Sequence, residues 1–336
     1  MQMQNKKILS MGAGVLLATL VLFSGCGKKE KEVKLETGDV SENSVVMMVG
    51  EEPVRFSEIQ SYCYFLKCQY EGSFGEELWE YPVGEGETIG DKAKQEIVNM
   101  ITQLKVISAT AQEQGIELTS DEKDEALRRA EELVGAATKK DMKEYSLNVQ
   151  DISEIYEENA LANKMFYIAT DAADTNISDE EARQVSVQYI QIMTQGVNRN
   201  GTEISMNEIT KQEALKRAQD LRKEAEQAED FLSFAEKNTD AAQTELIIGK
   251  ETDQLEAAAV ESAFSMTDGQ LSEVISGEQG YYILYCVSEL NEDATYARKE
   301  EIIAQRQTEM FMQKYSEWMK EKKVDINQNF WNEFSI

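Results

Sequence analysis

The side chains that most often carry enzyme chemistry are unevenly represented in this sequence. Histidine is absent from all 336 residues, which excludes Ser-His-Asp and Cys-His nucleophile pairs, histidine-ligated zinc and imidazole acid or base catalysis. Beyond the N-terminus the thiols are Cys63, Cys68 and Cys286. Cys63 and Cys68 lie five positions apart on a predicted helix and point in different directions, so we expect no disulfide between them. Any catalysis must therefore use other groups.

Carboxylates are abundant in the chain. Asp and Glu total 63 against 34 Lys and Arg, which gives a formal net charge of −29. Such a surface repels nucleic acid and favours cationic partners. The acidic groups Glu76-Glu77 and Glu85–Glu87 lack the ordered ligand spacing of a Ca²⁺ site. The sequence thus predicts no nucleic-acid partner, no metal site and no cofactor.

The N-terminus has the pattern of an export signal. Lys6 and Lys7 precede an apolar run, Ile8–Phe23, which is too short to span a bilayer and leads directly to small residues. Leu22–Cys26 resembles the lipobox of bacterial lipoproteins, in which the cysteine becomes the acylated first residue. The resemblance implies a signal peptide over residues 1–25 and lipidation of Cys26; the alternative is an ordinary secretory signal with a chance cysteine.

The residues after Cys26 are predicted to form a tether. Residues 26–43 are polar and charged, without apolar periodicity. With the lipidated cysteine they would place the folded body outside the cytoplasm, attached by lipid to the outer face of the cell membrane. The folded body is expected to begin near Ser44.

Residues 44–183 show mainly helical periodicity. In the clearest helix, apolar residues recur at three- and four-residue steps from Ala93 to Ala111, and Gly115 ends it. The segment Leu118–Glu122 is predicted to supply the N-cap of the next helix, with acidic residues in its first turn. The stretch Glu71–Gly90 is rich in Gly and Glu and is expected to be a loop.

The periodicity changes in residues 184–292. Val185–Ile192 alternates as a strand, Leu246–Ile248 reads as a short strand, and Tyr281–Val287 is rich in aromatic and β-branched residues. Three helices separate the first and last of these strands, which we expect to be neighbours. Residues 293–336 contain a long charged helix over 294–323, and its one apolar side is expected to pack back on the helical region.

Together these segments resemble the PrsA/SurA-type extracytoplasmic foldases. The segments that carry the resemblance are Val49–Val54, Gln95–Gly115, Leu118–Glu122, Val185–Ile192, Asp230–Ala235, Ala263–Ser272 and Gly280–Ile283. The resemblance implies an α+β protein. A mainly helical chaperone domain, completed by the C-terminal helix, would hold an inserted parvulin-like βα3β2-type peptidyl-prolyl isomerase domain. Its expected partners are unfolded or partly folded secreted polypeptides and, through lipid, the membrane; a homodimer is also allowed.

The family's site residues have mostly been exchanged in this chain. The resemblance places Tyr189 and Tyr282 at the two histidines, Asp240 at the central Cys or Asp, and Leu255, Ala259 and Phe264 at the proline pocket. Only Asp240 and Phe264 keep the family's residue type, and Ala259 removes an aromatic wall of the pocket. The exchanges predict a weak or inactive isomerase.

Three alternatives stay open from the sequence. The hydroxyls of Tyr189 and Tyr282 could replace the imidazoles as donors, which would give an active isomerase. The same tyrosines could merely pack a strand, and Asp240 could be only a turn residue. A remote alternative is a solute-binding lipoprotein, although such proteins repeat β-α-β units that this chain lacks.

Overall fold

The computed structural model describes residues 40–197 and 203–336. The predicted signal peptide, Cys26 and most of the predicted tether therefore lie outside the described residues. The α-helices are α1 Phe56–Phe74, α2 Ile89–Glu113, α3 Ser120–Ala136, α4 Lys139–Glu144, α5 Val149–Thr170, α6 Asp179–Ala182, α7 Glu208–Ala225, α8 Phe231–Asn238, α9 Ala257–Ser265, α10 Glu292–Met319 and α11 Gln328–Glu333. The strands are β1 Val45–Val49, β2 Glu52–Arg55, β3 Pro82–Gly84, β4 Glu87–Thr88, β5 Val185–Met193, β6 Gln195–Val197, β7 Glu203–Ser205, β8 Glu245–Ile248, β9 Ile275–Ser276, β10 Gly280–Ser288 and β11 Val324–Ile326.

The chain divides into two compact units. The helical unit comprises the described residues up to Ala172 together with Thr308–Ile336, and the sheet unit is Ala173–Gln307. This is the α+β architecture predicted from the sequence, with a helical unit completed by the C-terminal helix. The predicted boundaries after residues 183 and 292 do not coincide with this division and stay predictions.

The helical unit is built around α1, α2 and α5. The predicted stripe on α2 is buried, with Ile97, Ile101 and Ile107 almost fully enclosed. Thr88 opens α2 and Thr119 opens α3, each through a capping box in which the threonine hydroxyl accepts from the backbone N–H three residues on. The N-cap predicted within Leu118–Glu122 is thus confirmed, and the capping residue is Thr119.

The stretch predicted as a loop over Glu71–Gly90 is more ordered than expected. It contains a 3₁₀-helix, Glu76–Glu80, and the short antiparallel pair β3 and β4. Trp79 is buried there, and its indole N–H donates to Glu71 Oε1 at 2.7 Å. The loop prediction was wrong because a single anchored tryptophan orders a segment without any apolar periodicity.

The C-terminus contains a strand that the sequence did not predict. α10 ends at Met319 rather than near residue 323. β11 then pairs antiparallel with β1, with Met47 opposite Ile326 and Val49 opposite Val324. Phe311 in α10 is fully buried, and its ring centroid lies 5.2 Å from that of Phe166 in α5. Strand and helix both tie the C-terminal segment to the core of the helical unit.

The sheet unit contains a four-stranded antiparallel sheet in the order β8-β5-β10-β9. The expected adjacency of its first and last long strands is confirmed by the β5–β10 pairing, with Leu284 opposite Tyr189. One face carries Ile190, Ile192 and Ile283 with α7 and α8, and the other carries the candidate site with α9. β9 and the β6–β7 pair were not predicted.

No helix within residues 40–197 or 203–336 is long and apolar enough to cross a membrane.

Candidate functional site

The two tyrosines proposed as histidine replacements lie on adjacent strands of the sheet unit. Tyr189 in β5 pairs with Leu284, and Tyr282 in β10 pairs with Gln191, so both phenol side chains belong to the same face. Tyr189 is only 4% exposed and Tyr282 only 2%. Burial raises the pKa of both phenols, and at Tyr282 the neighbouring Glu256 carboxylate raises it further. Both groups therefore stay protonated at neutral pH.

The Tyr282 hydroxyl is already fully used inside the protein. It donates to Glu256 Oε1 at 2.9 Å and accepts from Gln191 Nε2 at 2.9 Å. A phenol has one proton to donate, so it cannot also donate to a substrate amide without breaking the bond to Glu256.

Glu256 connects the tyrosine to the turn before β10. Its carboxylate accepts the backbone N–H groups of Glu278 at 2.5 Å and Gln279 at 2.6 Å. A side chain at Gly277 would overlap this carboxylate, so the turn approaches it closely only because residue 277 is glycine. Neither Glu256 nor Gln191 could be identified as a site residue from the sequence. No spacing pattern marks them, since the network joins residues from three distant segments.

The residues placed at the proline pocket lie in the same cluster. Leu255 and Ala259 are buried with both tyrosines, and Phe264 packs against them from a partly buried position. The Phe264 ring also faces Arg183 and Lys250, whose cationic groups are 5.4 Å and 5.8 Å from its centroid. The structure thus brings these predicted pocket residues together. Their side chains pack against one another in a single cluster.

Asp240 is held at the edge of the sheet by other partners. Its carboxylate accepts from Arg217 Nη1 at 3.0 Å and from the backbone N–H of Met193 at 3.0 Å. Its own backbone N–H donates to the carbonyl of Gln191. These contacts join α7 and the segment after α8 to β5, which is a structural use of the carboxylate.

A second candidate site lies in the helical unit. A groove between α1, α2 and α5 is lined mainly by apolar side chains, namely Tyr62, Phe65, Leu66, Met100, Leu104, Ile107, Ile155, Tyr156 and Ala162. The amides of Gln69, Gln103, Asn159 and Asn163 complete its lining. The Tyr62 hydroxyl is buried and has no hydrogen-bond partner among the described residues. Five of the lining residues, Tyr62, Leu104, Ile107, Ile155 and Ala162, belong to the buried core, so the groove lies over the apolar face of α2 that the sequence predicted to be packed.

Two carboxylates share one lysine beside this groove. Lys105 Nζ lies 3.0 Å from Glu58 Oε1 and 2.6 Å from Glu158 Oε1, and all three side chains are largely buried. Burial raises the pKa of Glu58 to about 7 and also raises the pKa of Glu158. One lysine therefore faces two acids, at least one of which is partly protonated at neutral pH.

This cluster predicts that the free energy of unfolding depends on pH. Glu58→Gln should weaken that dependence. Because the folded state keeps a proton on Glu58 that the unfolded chain has lost, stability falls as the pH rises. Between about pH 5 and pH 7 the expected loss is about 2 kcal/mol. Urea unfolding at several pH values measures it, and identical pH profiles for wild type and Glu58→Gln would contradict the assignment.

The three thiols are unbridged, since Cys63, Cys68 and Cys286 are all free. Cys63 and Cys286 are buried, whereas Cys68 is exposed. In the part of the chain that the structure describes, no group of three or more acidic or cysteine side chains is arranged to hold a metal ion.

The sheet unit matches a known domain family. The family model described as Rotamase: PPIC-type PPIASE domain matches residues 199–288. The matched residues include Asp240, Leu255, Ala259 and Tyr282, and the match begins after Tyr189. Residues 199–288 therefore match the parvulin-type domain family that the sequence resemblance predicted for this part of the chain.

Several solved structures are similar to the chain. PrsA from Bacillus subtilis is 14% identical, with 83% of this chain and 93% of that chain covered and a TM-score of 0.26. Foldase protein PrsA from Streptococcus pneumoniae is 17% identical, with 74% and 88% covered and a TM-score of 0.31. A SurA-like chaperone of Campylobacter jejuni is 11% identical, with 84% and 99% covered and a TM-score of 0.33. No curated protein matches the chain.

Proposed function

We propose that this protein is a lipid-anchored extracytoplasmic chaperone that binds unfolded secreted polypeptides. Its parvulin-type domain is proposed to be a weak or inactive isomerase. The observation that carries the proposal is the burial of the site itself: Tyr189, Tyr282, Leu255 and Ala259 enclose one another on the face where a substrate proline would bind. The groove between α1, α2 and α5 supplies the proposed client site.

The chemistry of the parvulin-type domain supports low activity. Rotation about an X-Pro bond faces a barrier of roughly 18–20 kcal/mol, and lowering it needs a pocket for the ring and donors for the twisted amide. Ala259 offers no aromatic wall, and the Tyr282 proton is bound to Glu256. Binding a proline here would first require the cluster to open. Opening would expose its buried apolar side chains to water and lose the free energy gained by their burial.

The surface of the helical unit supports client binding. Besides the groove, the stretch from 70 to 83 exposes several large apolar side chains, those of Tyr70, Phe74, Tyr81 and Val83. Exposed apolar surface of this kind is typical of sites that bind other polypeptides. The net charge of −29 would add attraction for clients with basic segments.

The location of the protein rests on its N-terminal sequence. We propose that cleavage before Cys26 and acylation of its thiol hold the chain at the outer face of the membrane. Intact mass of the mature protein would reveal the acyl chains, and an unmodified Cys26 would count against the anchor. The proposal also includes a homodimer. Light scattering of the same sample gives the molar mass, which distinguishes a dimer from a monomer.

Suppression of client aggregation tests the chaperone function. We expect the mature protein to prevent aggregation of a reduced, unfolding client at a few-fold molar excess. Leu66→Asn should weaken client binding about tenfold, because it replaces a partly buried apolar side chain of the groove with a polar one. Leu127→Asn is the matched control, since Leu127 is exposed on α3. Equal protection by both variants would place client binding elsewhere, and no protection by wild type would reject the function.

A further inference from the structure

The Glu58–Lys105–Glu158 cluster lines part of an acidic pocket. The pocket is formed by side chains from β2, α1, α2, α3, α5 and the segment between α2 and α3. Its charged lining residues are the acids Glu52, Glu58, Glu117, Glu154, Glu157 and Glu158 and the bases Arg55, Lys105 and Lys123. Acids thus outnumber bases in the lining, and the pocket is a place of negative potential.

Three buried polar atoms of this pocket lack a hydrogen-bond partner among the described residues, and one of them, Glu58 Oε1, has the ion pair with Lys105. Glu158 Oε2 and Ser108 Oγ each lack a hydrogen-bond partner among the described residues. Ser108 is only 9% exposed, and both residues line the pocket. Lys105 reaches the other oxygen of Glu158, Oε1. A buried carboxylate oxygen and a buried hydroxyl without partners are costly, and a donor that enters from outside would relieve that cost.

We propose that this pocket receives the ammonium group of a lysine side chain from a bound client, which donates to Glu158 Oε2 and Ser108 Oγ. An ammonium group offers three donors and a compact positive charge, which suits two separate acceptors in an acidic pocket. The apolar lysine stem would pass the apolar side chains of Ile116 and Leu161 in the lining. The inference rests on the proposed function and specifies the class of client, one with basic residues beside apolar ones.

Proton linkage is a consequence of this arrangement. The titratable groups that interact with the two acids are Lys105 on α2, Tyr62 on α1, Glu52 on β2, and Asp151 and Glu154 on α5. The other charged groups that line the pocket are Arg55, Glu117, Lys123 and Glu157. With Glu58 titrating at about pH 7, a second ammonium group would lower its pKa and expel its proton. Lysine binding should therefore strengthen as the pH rises from about 6 to about 8, and it should release protons.

A pair of peptides tests the proposal on the mature protein. Both carry the same apolar sequence and a fluorescent label; one has a single lysine and the other has norleucine at that position. At pH 8 we expect the lysine peptide to bind about tenfold more tightly, the factor for one charge-assisted hydrogen bond at a partly desolvated site. Calorimetry in two buffers of different ionisation enthalpy should detect the proton release.

Variants separate the pocket from the general negative charge of the protein. Glu158→Gln should abolish the preference for lysine, whereas Glu132→Gln, which removes a carboxylate that is 66% exposed on α3, should preserve it. Thermal unfolding by circular dichroism checks that both variants are folded. Equal affinity of wild type for the two peptides, or equal loss of preference in both variants, would overturn the lysine site and leave the chaperone function standing. Failure of both peptides to bind would instead reject the proposed function and the lysine site together.

Discussion

Replacing Phe311 with alanine is expected to lower the free energy of unfolding of the helical unit by about 3–5 kcal/mol. The ring is fully buried, and its centroid lies 5.2 Å from that of Phe166 and 5.8 Å from that of Trp318. Truncation would remove its apolar burial and leave a cavity at the point where α10 joins the core. The β1–β11 pairing should loosen with it, because the same C-terminal segment carries β11.

Hydrogen exchange of the helical-unit amides, together with urea unfolding, measures this effect. Tyr296→Ala is the control, since it truncates an exposed aromatic residue of the same helix and should change stability by less than about 0.5 kcal/mol. If Phe311→Ala changed stability no more than the control, the C-terminal part of α10 would not be part of the core.

Replacing Glu256 with alanine should destabilise the sheet unit by about 3 kcal/mol, because three donors lose a carboxylate acceptor. Those donors are the backbone N–H groups of Glu278 and Gln279 and the hydroxyl of Tyr282. The turn before β10 should then become mobile and its amides should exchange faster.

Glu261→Ala provides the matched control for this change. It removes an exposed glutamate from α9, the helix that begins directly after Glu256, and should leave exchange of the β10 amides unchanged. If Glu256→Ala behaved like Glu261→Ala, the carboxylate network would have no part in holding the site closed.

Regular features of the fold could be predicted from the sequence. The stripe on α2 and the N-cap within Leu118–Glu122 follow from 3.6-residue periodicity and local hydrogen bonding, which need no knowledge of distant residues. The adjacency of β5 and β10 came from the family resemblance together with the alternating pattern of the two strands. The resemblance also found Tyr189, Tyr282, Leu255 and Ala259, which the structure brings together.

The features that could not be predicted depend on contacts between distant segments. β11 has only three residues and becomes a strand because β1 offers a free edge. Glu256 looks like any exposed glutamate at the start of a helix until the turn at Gly277 folds over it. Three different helices supply Glu58, Lys105 and Glu158, and their spacing in the sequence does not indicate that they share a buried site.

The rate of proline-limited refolding shows whether the parvulin-type domain is an active isomerase. In that assay a client whose slow phase is an X-Pro isomerisation refolds with and without micromolar mature protein. Because the phenols are buried and the Tyr282 proton is bound to Glu256, we predict an unchanged rate constant for the slow phase. A clear acceleration that disappears in Tyr282→Phe would instead assign catalysis to the tyrosine pair and overturn the proposal of a weak or inactive isomerase.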